Sequence, residues 1–369
     1  MPNIINLIFD GTEENDVIHG NEGDNIIRGF EGNDYIYAKE GDDVIQGGDG
    51  HDKLHGDNGD DVIQGGTGND ALDGGEGDDI MQGGAGNDFF RDNSGSNYFH
   101  GGEGTDMVDF RGLQHGIKVN LVEETSSYTD ASGEEITQAV IDIERLRGTN
   151  EDDEFIGNDA NNSFEGYAGD DTYVGNGGDD YFRDIEGSNH FDGGEGTDMV
   201  DFRGLQHGIK VNLVEETSSY IDASGEEITQ AVIDIERLRG TNEDDEFIGN
   251  DANNSFEGYA GDDTFFTGAG NDYVNTGEGN NIINTGEGED LIDLGSGNNT
   301  VILTAGEGHD KVRNFQLGLT RFDVDDANTL TFETSGSGVD IKDANGDQLA
   351  HVYNTDVNTF TVNLDDIFI

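Results

Sequence analysis

Between residues 11 and 109 the sequence repeats every nine residues, eleven times without a gap. The clearest copies read GGTGNDALD (65–73), GGEGDDIMQ (74–82) and GGAGNDFFR (83–91). Each opens with glycine-rich turn chemistry, places an Asp at position six and carries one apolar residue at position eight. A unit this short cannot bury an apolar face by itself, so it has to stack on its neighbours as a solenoid. The position-eight residues are Ile18, Ile27, Ile36, Ile45, Leu54, Ile63, Leu72, Met81, Phe90, Phe99 and Val108, all apolar in a chain that is 32% hydrophobic.

Strand geometry turns position eight inward and positions seven and nine outward. A six-residue turn and a three-residue strand, taken twice, make a coil of 18 residues with one short strand on each of two sheets. Stacked at about 4.8 Å per strand, each turn lies over the turn 18 residues earlier. Position six in this first block is Asp16, Asn25, Asp34, Asp43, Asp52, Asp61, Asp70, Asp79, Asp88, Asn97 and Asp106. The nonamers resume over 148–201, with Asp153, Asn162, Asp171, Asp180, Asn189 and Asp198 at position six. They resume again over 240–313, with Asp245, Asn254, Asp263, Asp272, Asn281, Asp290, Asn299 and Asp310. Two extra residues, Leu303 and Thr304, precede the last copy.

The segments between the blocks, 110–147 and 202–239, are inserts. In the first, IKVNLV (117–122) alternates like a strand, a polar stretch ETSSYTDASGEE follows, and Val140, Ile141, Ile143 and Leu146 form a second apolar run. The pattern predicts two longer strands joined by an exposed loop. Residues 101–172 and 193–264 are copies that differ only at Thr129/Ile221, so repeats plus insert form a duplicated unit. Residues 1–10 read as an N-terminal strand or cap. From Asn314 the period stops, and LTFET (330–334), VDIKD (339–343) and TFTVNL (359–364) alternate in short runs. Residues 314–369 are expected to form a β cap over the last open rung.

The chain has 82 acidic and 17 basic residues and a net charge of −65. An apoprotein of that charge repels itself and tends to disorder unless cations are supplied. Nucleic acid and anionic membrane surfaces are disfavoured as partners on the same ground. There is no Cys, hence no disulfide and no thiolate site. No apolar stretch is long enough to span a membrane, and the N-terminus lacks the basic start of a secretory signal peptide.

Stacked position-six carboxylates form a column of like charges, which a hard cation reverses. Ca2+ takes six to eight oxygens from carboxylates and carbonyls at about 2.3–2.6 Å, whereas Mg2+ demands tighter octahedral geometry and Zn2+ prefers His or Cys. One apolar side chain per nonamer is too little to offset chain entropy, so metal binding and folding are expected to be one event.

These residues resemble the RTX family, the hemolysin-type calcium-binding nonapeptide repeats, over 11–109, 148–201 and 240–313. The resemblance implies an all-β fold, a right-handed parallel β-roll (β-solenoid) in three blocks with two β-rich inserts and a C-terminal β cap. It implies Ca2+ held between turns by the position-six residues and main-chain carbonyls, with Gly48, Gly50, Gly66, Gly68, Gly75, Gly77, Gly84 and Gly86 as the expected carbonyl donors. The stacked turns allow roughly 10–19 ions. It further implies secretion by a type I apparatus that reads an uncleaved C-terminal signal, here Asp365-Asp366-Ile367-Phe368-Ile369. The chain departs from the pattern where position six is Asn and at several copies where position one is not glycine, among them those starting at Ala38, Asp92, Asp184, Leu294 and Ala305.

No HExxH, GxSxG or GK[ST] motif is present, and repeats, inserts and cap account for nearly all of the chain. The expected function is non-enzymatic: a secreted calcium-binding β-roll with a structural or adhesive role at the bacterial surface. The alternatives are a module binding extracellular polysaccharide, or the non-catalytic part of a larger RTX enzyme or toxin. His51 and His55 are expected on a solvated surface. Outward ladders run through Ile26, Val44, Val62, Ile80 and Tyr98 and through Arg28, Gln46, Gln64, Gln82 and His100. Arg111, Arg145, Arg147 and their copies Arg203, Arg237 and Arg239 are expected to pair with acidic neighbours where roll meets insert.

Overall fold

Strands that recur every 18 residues pair in parallel within each of two compact units. The computed structural model describes residues 7–92, 94–304 and 308–369. Of the expected N-terminal strand it covers Leu7–Asp10, and Ala305 lies outside the described residues. The chain divides into two compact units, Met1–Phe182 and Arg183–Ile369.

In the first unit one sheet runs through Ile26, Val44, Val62, Ile80 and Tyr98, each paired with the residue 18 positions on. The other runs through Val17, Tyr35, Lys53, Ala71, Phe89 and Met107. The fold is a parallel β-solenoid. Position eight from Ile27 to Val108 is buried between the sheets, whereas Ile18, in the first coil, is half-buried. Full burial of one such side chain stabilises by about 1.5–3 kcal/mol. Ordering each residue's backbone costs about 1–2 kcal/mol, so the apolar seam alone cannot hold nine residues in place. Further along, the seam turns aromatic: Phe155 stacks on Phe164 at 5.4 Å and on Tyr173 at 5.6 Å.

The outward ladders are self-satisfied. Gln46 Nε2 donates to Gln64 Oε1 and Gln64 Nε2 to Gln82 Oε1, both at 3.1 Å. On the other sheet the rings of His19, Tyr37 and His55 stack at 5.2 and 4.9 Å. His51 sits in the turn, where its Nδ1 accepts the Asn69 N–H at 2.7 Å.

The insert differs from expectation. It is a three-stranded antiparallel meander, Ile117–Asn120, Thr125–Thr129 and Glu135–Ile141. The chain skips ahead, then returns. Ile117–Asn120 pairs in parallel with Glu154–Ile156, and Glu135–Ile141 pairs in parallel with Tyr98–Glu103. The middle strand falls in the stretch read as a loop. Its inward side chains are Ser126 and Tyr128, and Ser126 is buried because its hydroxyl donates to Gln138 Oε1 at 2.9 Å. A hydrogen bond, rather than hydrophobicity, admits that residue to the interior. The junction arginines pair as expected at Arg111 with Asp109 and Arg147 with Glu165. Arg111 also lies over the Tyr167 ring at 5.5 Å.

The second unit carries the same meander in Ile209–Asn212, Thr217–Ile221 and Glu227–Ile233, set between His190–Asp192 and Glu246–Ile248. Its junction arginines pair likewise, Arg203 with Asp201 and Arg239 with Glu257. Beyond it the parallel sheets run on to Thr320–Asp323 and Asp310–Arg313. The tail adds Thr331–Ser335, Gly338–Lys342 and Gln348–Tyr353 as an antiparallel sheet whose last strand covers the edge of Asp310–Arg313. The run at 359–364 is not a strand. Val357–Val362 is helical, capped by Asp356, whose side chain accepts the Thr359 N–H. The alternation there is accidental: Phe360 is buried but Val362 is 69% exposed. Phe315, Phe322, Phe332, Phe360 and Phe368 form one aromatic cluster with ring separations of 5.4–6.3 Å.

Candidate metal centre

The turns put charge where water cannot reach it. Of the 25 position-six residues, 24 are buried; Asp16, in the first coil, is half-buried. Burial follows from a hydrogen-bond ladder. From Asp16 to Asp88 the backbone N–H of each position-six residue donates to Oδ1 of the residue 18 positions on, as from Asp34 to Asp52, Asp52 to Asp70 and Asp70 to Asp88, each at 2.8 Å. The alternate turns carry the same ladder, from Asp43 to Asp61 and from Asp61 to Asp79. A second ladder of opposite polarity runs outside it at position five. There the N–H of His51 donates to Asn33 Oδ1 and that of Asn87 to Asn69 Oδ1.

The other carboxylate oxygen is the anomaly. Oδ2 of Asp34, Asp43, Asp52, Asp61, Asp70, Asp88, Asp106 and Asp263 is buried with no hydrogen-bond partner. Such a group is costly unless something positive faces it. Burial pushes the Asp61 and Asp263 carboxyls up to about 8, Asp70 up to about 7 and Asp43 and Asp106 up to about 6; the accepted backbone N–H opposes the shift and neighbouring carboxylates add to it.

All of these oxygens except that of Asp43, whose position one is Ala38, border a small space beside the position-one glycine. A β-carbon added to Gly47 would lie under 3.0 Å from both Asp52 Oδ2 and the carbonyl oxygen of Gly65, one coil on. Gly29, Gly56 and Gly65 repeat this with Asp34 and Gly47, Asp61 and Gly74, Asp70 and Gly83. These glycines have ordinary φ, so close approach rather than backbone conformation demands them. The position-one carbonyls are candidate donors that sequence reasoning missed; glycine at position one was the available signal. Gly48, Gly50, Gly66, Gly68, Gly75, Gly77, Gly84 and Gly86 line the same turns at φ between +109° and +149°. The carbonyls of Gly48, Gly50, Gly66 and Gly68 face the α-carbons of the glycines 18 residues on.

Among the described residues, no group of three His, Cys, Asp or Glu side chains converges as a metal cluster. An ion in these turns has to draw on backbone carbonyls. Carboxylate plus carbonyl, with no nitrogen or sulfur donor, is the donor set of Ca2+.

Not every candidate is alike. At the start of each repeat block position two is Thr, and it supplies donors itself. Thr149 N–H and Oγ1 bond the two oxygens of Asp153 at 2.7 and 3.0 Å, and Ile117 N–H adds a third bond at 2.7 Å. Thr241 does the same for Asp245, and both donors of Thr12 reach Asp16 Oδ2. Where position six is Asn, the amide brings its own donor: Asn25 Nδ2 donates to Asp43 Oδ1 at 2.9 Å and Asn281 Nδ2 to Asn299 Oδ1 at 3.0 Å. At Gly166 the space holds the Tyr173 hydroxyl, 3.3 Å from Asp171 Oδ2. At Gly74 it is bordered by two carboxylates, Asp79 and the position-one Asp92.

The family model of the RTX calcium-binding nonapeptide repeat, four copies long, matches residues 10–45, 37–72, 46–81, 73–108, 147–182, 239–274 and 266–301, more than half of the chain. The chain belongs to the RTX calcium-binding nonapeptide repeat family. RTX nonapeptide repeats bind Ca2+, in agreement with the donor set of these turns. The RTX match stops at residue 108 and resumes at 147, so the first meander lies outside it. Among curated proteins, none matches the chain in sequence. Among solved structures, the crystal structure of the extracellular lipase LipA from Serratia marcescens is similar over 59% of this chain, at 18% identity and a TM-score of 0.28. The RTX chain spans 40% of that lipase. No helix among the described residues is long and apolar enough to cross a membrane.

Proposed function

We propose that this RTX chain is a secreted, non-enzymatic β-roll that folds as it binds Ca2+ and acts as a rigid structural or adhesive element at the bacterial surface. The observation that carries this reading is the set of buried carboxylates, Asp34, Asp43, Asp52, Asp61, Asp70, Asp88, Asp106 and Asp263, whose Oδ2 has no hydrogen-bond partner. The ligands are the position-six Asp side chains, with position-one carbonyls and the turn glycines completing the shell. Asp16, Asp153 and Asp245 are better served by Thr than by an ion. The number of ions falls in the range of roughly 10–19 that stacked turns allow. Binding couples to folding because a chain of charge −65 cannot close these columns without cations. Calcium-rich fluid outside the cell then supplies the trigger, and a type I apparatus exports the chain before it folds.

A polysaccharide-binding role draws less support. The glutamine ladder spends its amides on itself, and the His19, Tyr37 and His55 rings cover one another's faces.

The test is a Ca2+ titration followed by far-UV circular dichroism. Chelated protein is expected to be largely disordered and to gain β signal with millimolar Ca2+. An unchanged spectrum after chelation overturns the reading. Adhesion is tested with beads carrying the folded protein. Calcium-dependent attachment to bacterial cells supports the surface role, and equal attachment in chelator removes it.

A further inference from the structure

The chain leaves the meander through residues 139–147, which match no nonamer in sequence yet occupy the place of one. Ala139, Val140 and Ile141 pair with Tyr98, Phe99 and His100. Arg145, Leu146 and Arg147 pair with Met107, Val108 and Asp109. Val140 and Leu146 are buried as position-eight residues are. Between the two strands, where 101–106 makes a six-residue turn, stand only Asp142, Ile143 and Glu144.

This contracted turn rebuilds the carboxylate ladder with different residues. The Asp88 N–H donates to Asp106 Oδ1 at 2.6 Å, and the Asp106 N–H donates to Glu144 Oε2 at 2.8 Å. The Arg145 N–H reaches the Asp106 carbonyl at 2.9 Å, as the Met107 N–H reaches that of Asp88. Glu, one methylene longer than Asp, lets a turn three residues shorter deliver its carboxylate to the ladder. Asp142, at φ +50°, makes the tight bend. Its side chain lies 3.1 Å from His100 Nε2. Its carbonyl oxygen takes the role of a position-one glycine carbonyl: a β-carbon on Gly101 would lie under 3.0 Å from both Asp142 O and Asp106 Oδ2. Asp106 is 0% exposed, and its Oδ2 is buried without a hydrogen-bond partner.

We propose that Asp106, the Asp142 carbonyl and Glu144 form a divalent-cation site that fastens the meander to the roll. The second unit repeats the arrangement. The Asp198 N–H donates to Glu236 Oε2 at 2.9 Å, Asp234 bends at φ +49°, and Gly193 is bordered by Asp234 O and Asp198 Oδ2. The site rests on the reading that this chain binds Ca2+, but its residues lie partly outside the nonapeptide match. The occupant is Ca2+, because all three donors are oxygens from flexible or main-chain groups. It holds the returning strand of the meander against Tyr98–Glu103, so the insert folds in the same calcium step as the coil before it.

The test is calcium anomalous scattering from crystals of the full chain grown with CaCl2. The expected result is a peak about 2.3–2.6 Å from Asp106 Oδ2, Asp142 O and a Glu144 oxygen, and an equivalent peak at Asp198, Asp234 and Glu236. Peaks in the nonamer turns but none at these two places overturn the proposal and leave the calcium reading standing. No calcium peak anywhere overturns both. In solution, the double variant Glu144→Gln with Glu236→Gln keeps the shape and the acceptor but removes the charge. Hydrogen exchange should then need several-fold more Ca2+ to protect 117–141, with the midpoint for 44–72 unchanged. Equal midpoints in variant and wild type for both segments, or equal shifts in both, count against a local site.

Discussion

The backbone N–H of Asp52 ends on Oδ1 of Asp70, one coil on, at 2.8 Å, while Oδ2 of the same carboxylate is buried with no hydrogen-bond partner. One oxygen serves the fold, and in the proposed function the other takes a cation. Two substitutions separate these roles. Asp70→Asn keeps the acceptor and loses the charge, so it should raise the Ca2+ midpoint of folding. Asp70→Ala also strands the Asp52 N–H, which costs about 1–3 kcal/mol more, and should raise the midpoint further. Glu76→Ala, at an exposed turn position, should leave it unchanged. Equal midpoints for all three in a dichroism titration would contradict the assigned register.

Proton and calcium should compete. Burial holds the carboxyls of Asp61 and Asp263 up to about 8 and those of Asp70 and Asp153 up to about 7 in the folded chain, above the model-compound value of 3.8. Between about pH 4 and pH 8 the metal-free folded form therefore binds more protons than the unfolded chain, and its stability falls as pH rises through that window. Chelated protein should be more compact near pH 4.5 than near pH 8. The Ca2+ midpoint should fall as pH rises, with protons released on binding. Identical chelated spectra at both pH values, with a pH-independent midpoint, would rule this out.

Gly47→Ala tests the space beside the carboxylate. The added methyl group would collide with Asp52 Oδ2 and with the Gly65 carbonyl, although the backbone there has ordinary φ. Bound Ca2+, counted by calorimetry, should drop by one or two ions. Gly133→Ala, in the meander's hairpin loop at φ +86° with nothing within 4 Å, should cost about 1–3 kcal/mol of local strain and no ions. A full ion count in Gly47→Ala would remove the position-one carbonyl from the ligand set.

The cap supports a two-part prediction. Phe360→Ala empties the centre of the five-ring cluster and should cost about 3–5 kcal/mol, making calcium-dependent folding less cooperative. Deleting 314–369 should have the same effect and also stop export from a host carrying a type I exporter. Removing residues 1–10 should leave export intact. Normal secretion of the tail deletion would reject the signal assigned to Asp365-Asp366-Ile367-Phe368-Ile369 and leave only the capping role.

The parts of this fold legible in the sequence are those set by spacing. A nine-residue period with an apolar position eight dictates two sheets paired at 18, and Ile27, Ile45 and Ile63 are buried as that arithmetic requires. Burial of position six follows from the same stacking. What spacing does not encode is how a carboxylate is satisfied. Thr149 and Thr241 stand openly in the sequence as the residue after the first glycine of a block, yet their donation to Asp153 and Asp245 needs the turn's geometry to be seen. The strand Thr125–Thr129 was hidden because Ser126 is held inside by Gln138 rather than by hydrophobicity. The helix Val357–Val362 was hidden because its capping Asp356 precedes a run that happens to alternate.

The three-residue turn at Asp142–Glu144 bears on how such a chain grows. Because it returns the backbone to the ladder in phase, the nonamers after the meander take up the count as though nothing had intervened. A module whose two ends match in this way can be copied head to tail without any new junction having to evolve. The near-identity of 101–172 and 193–264 is the trace such copying leaves, and lengthening by further recombination would need only calcium in proportion.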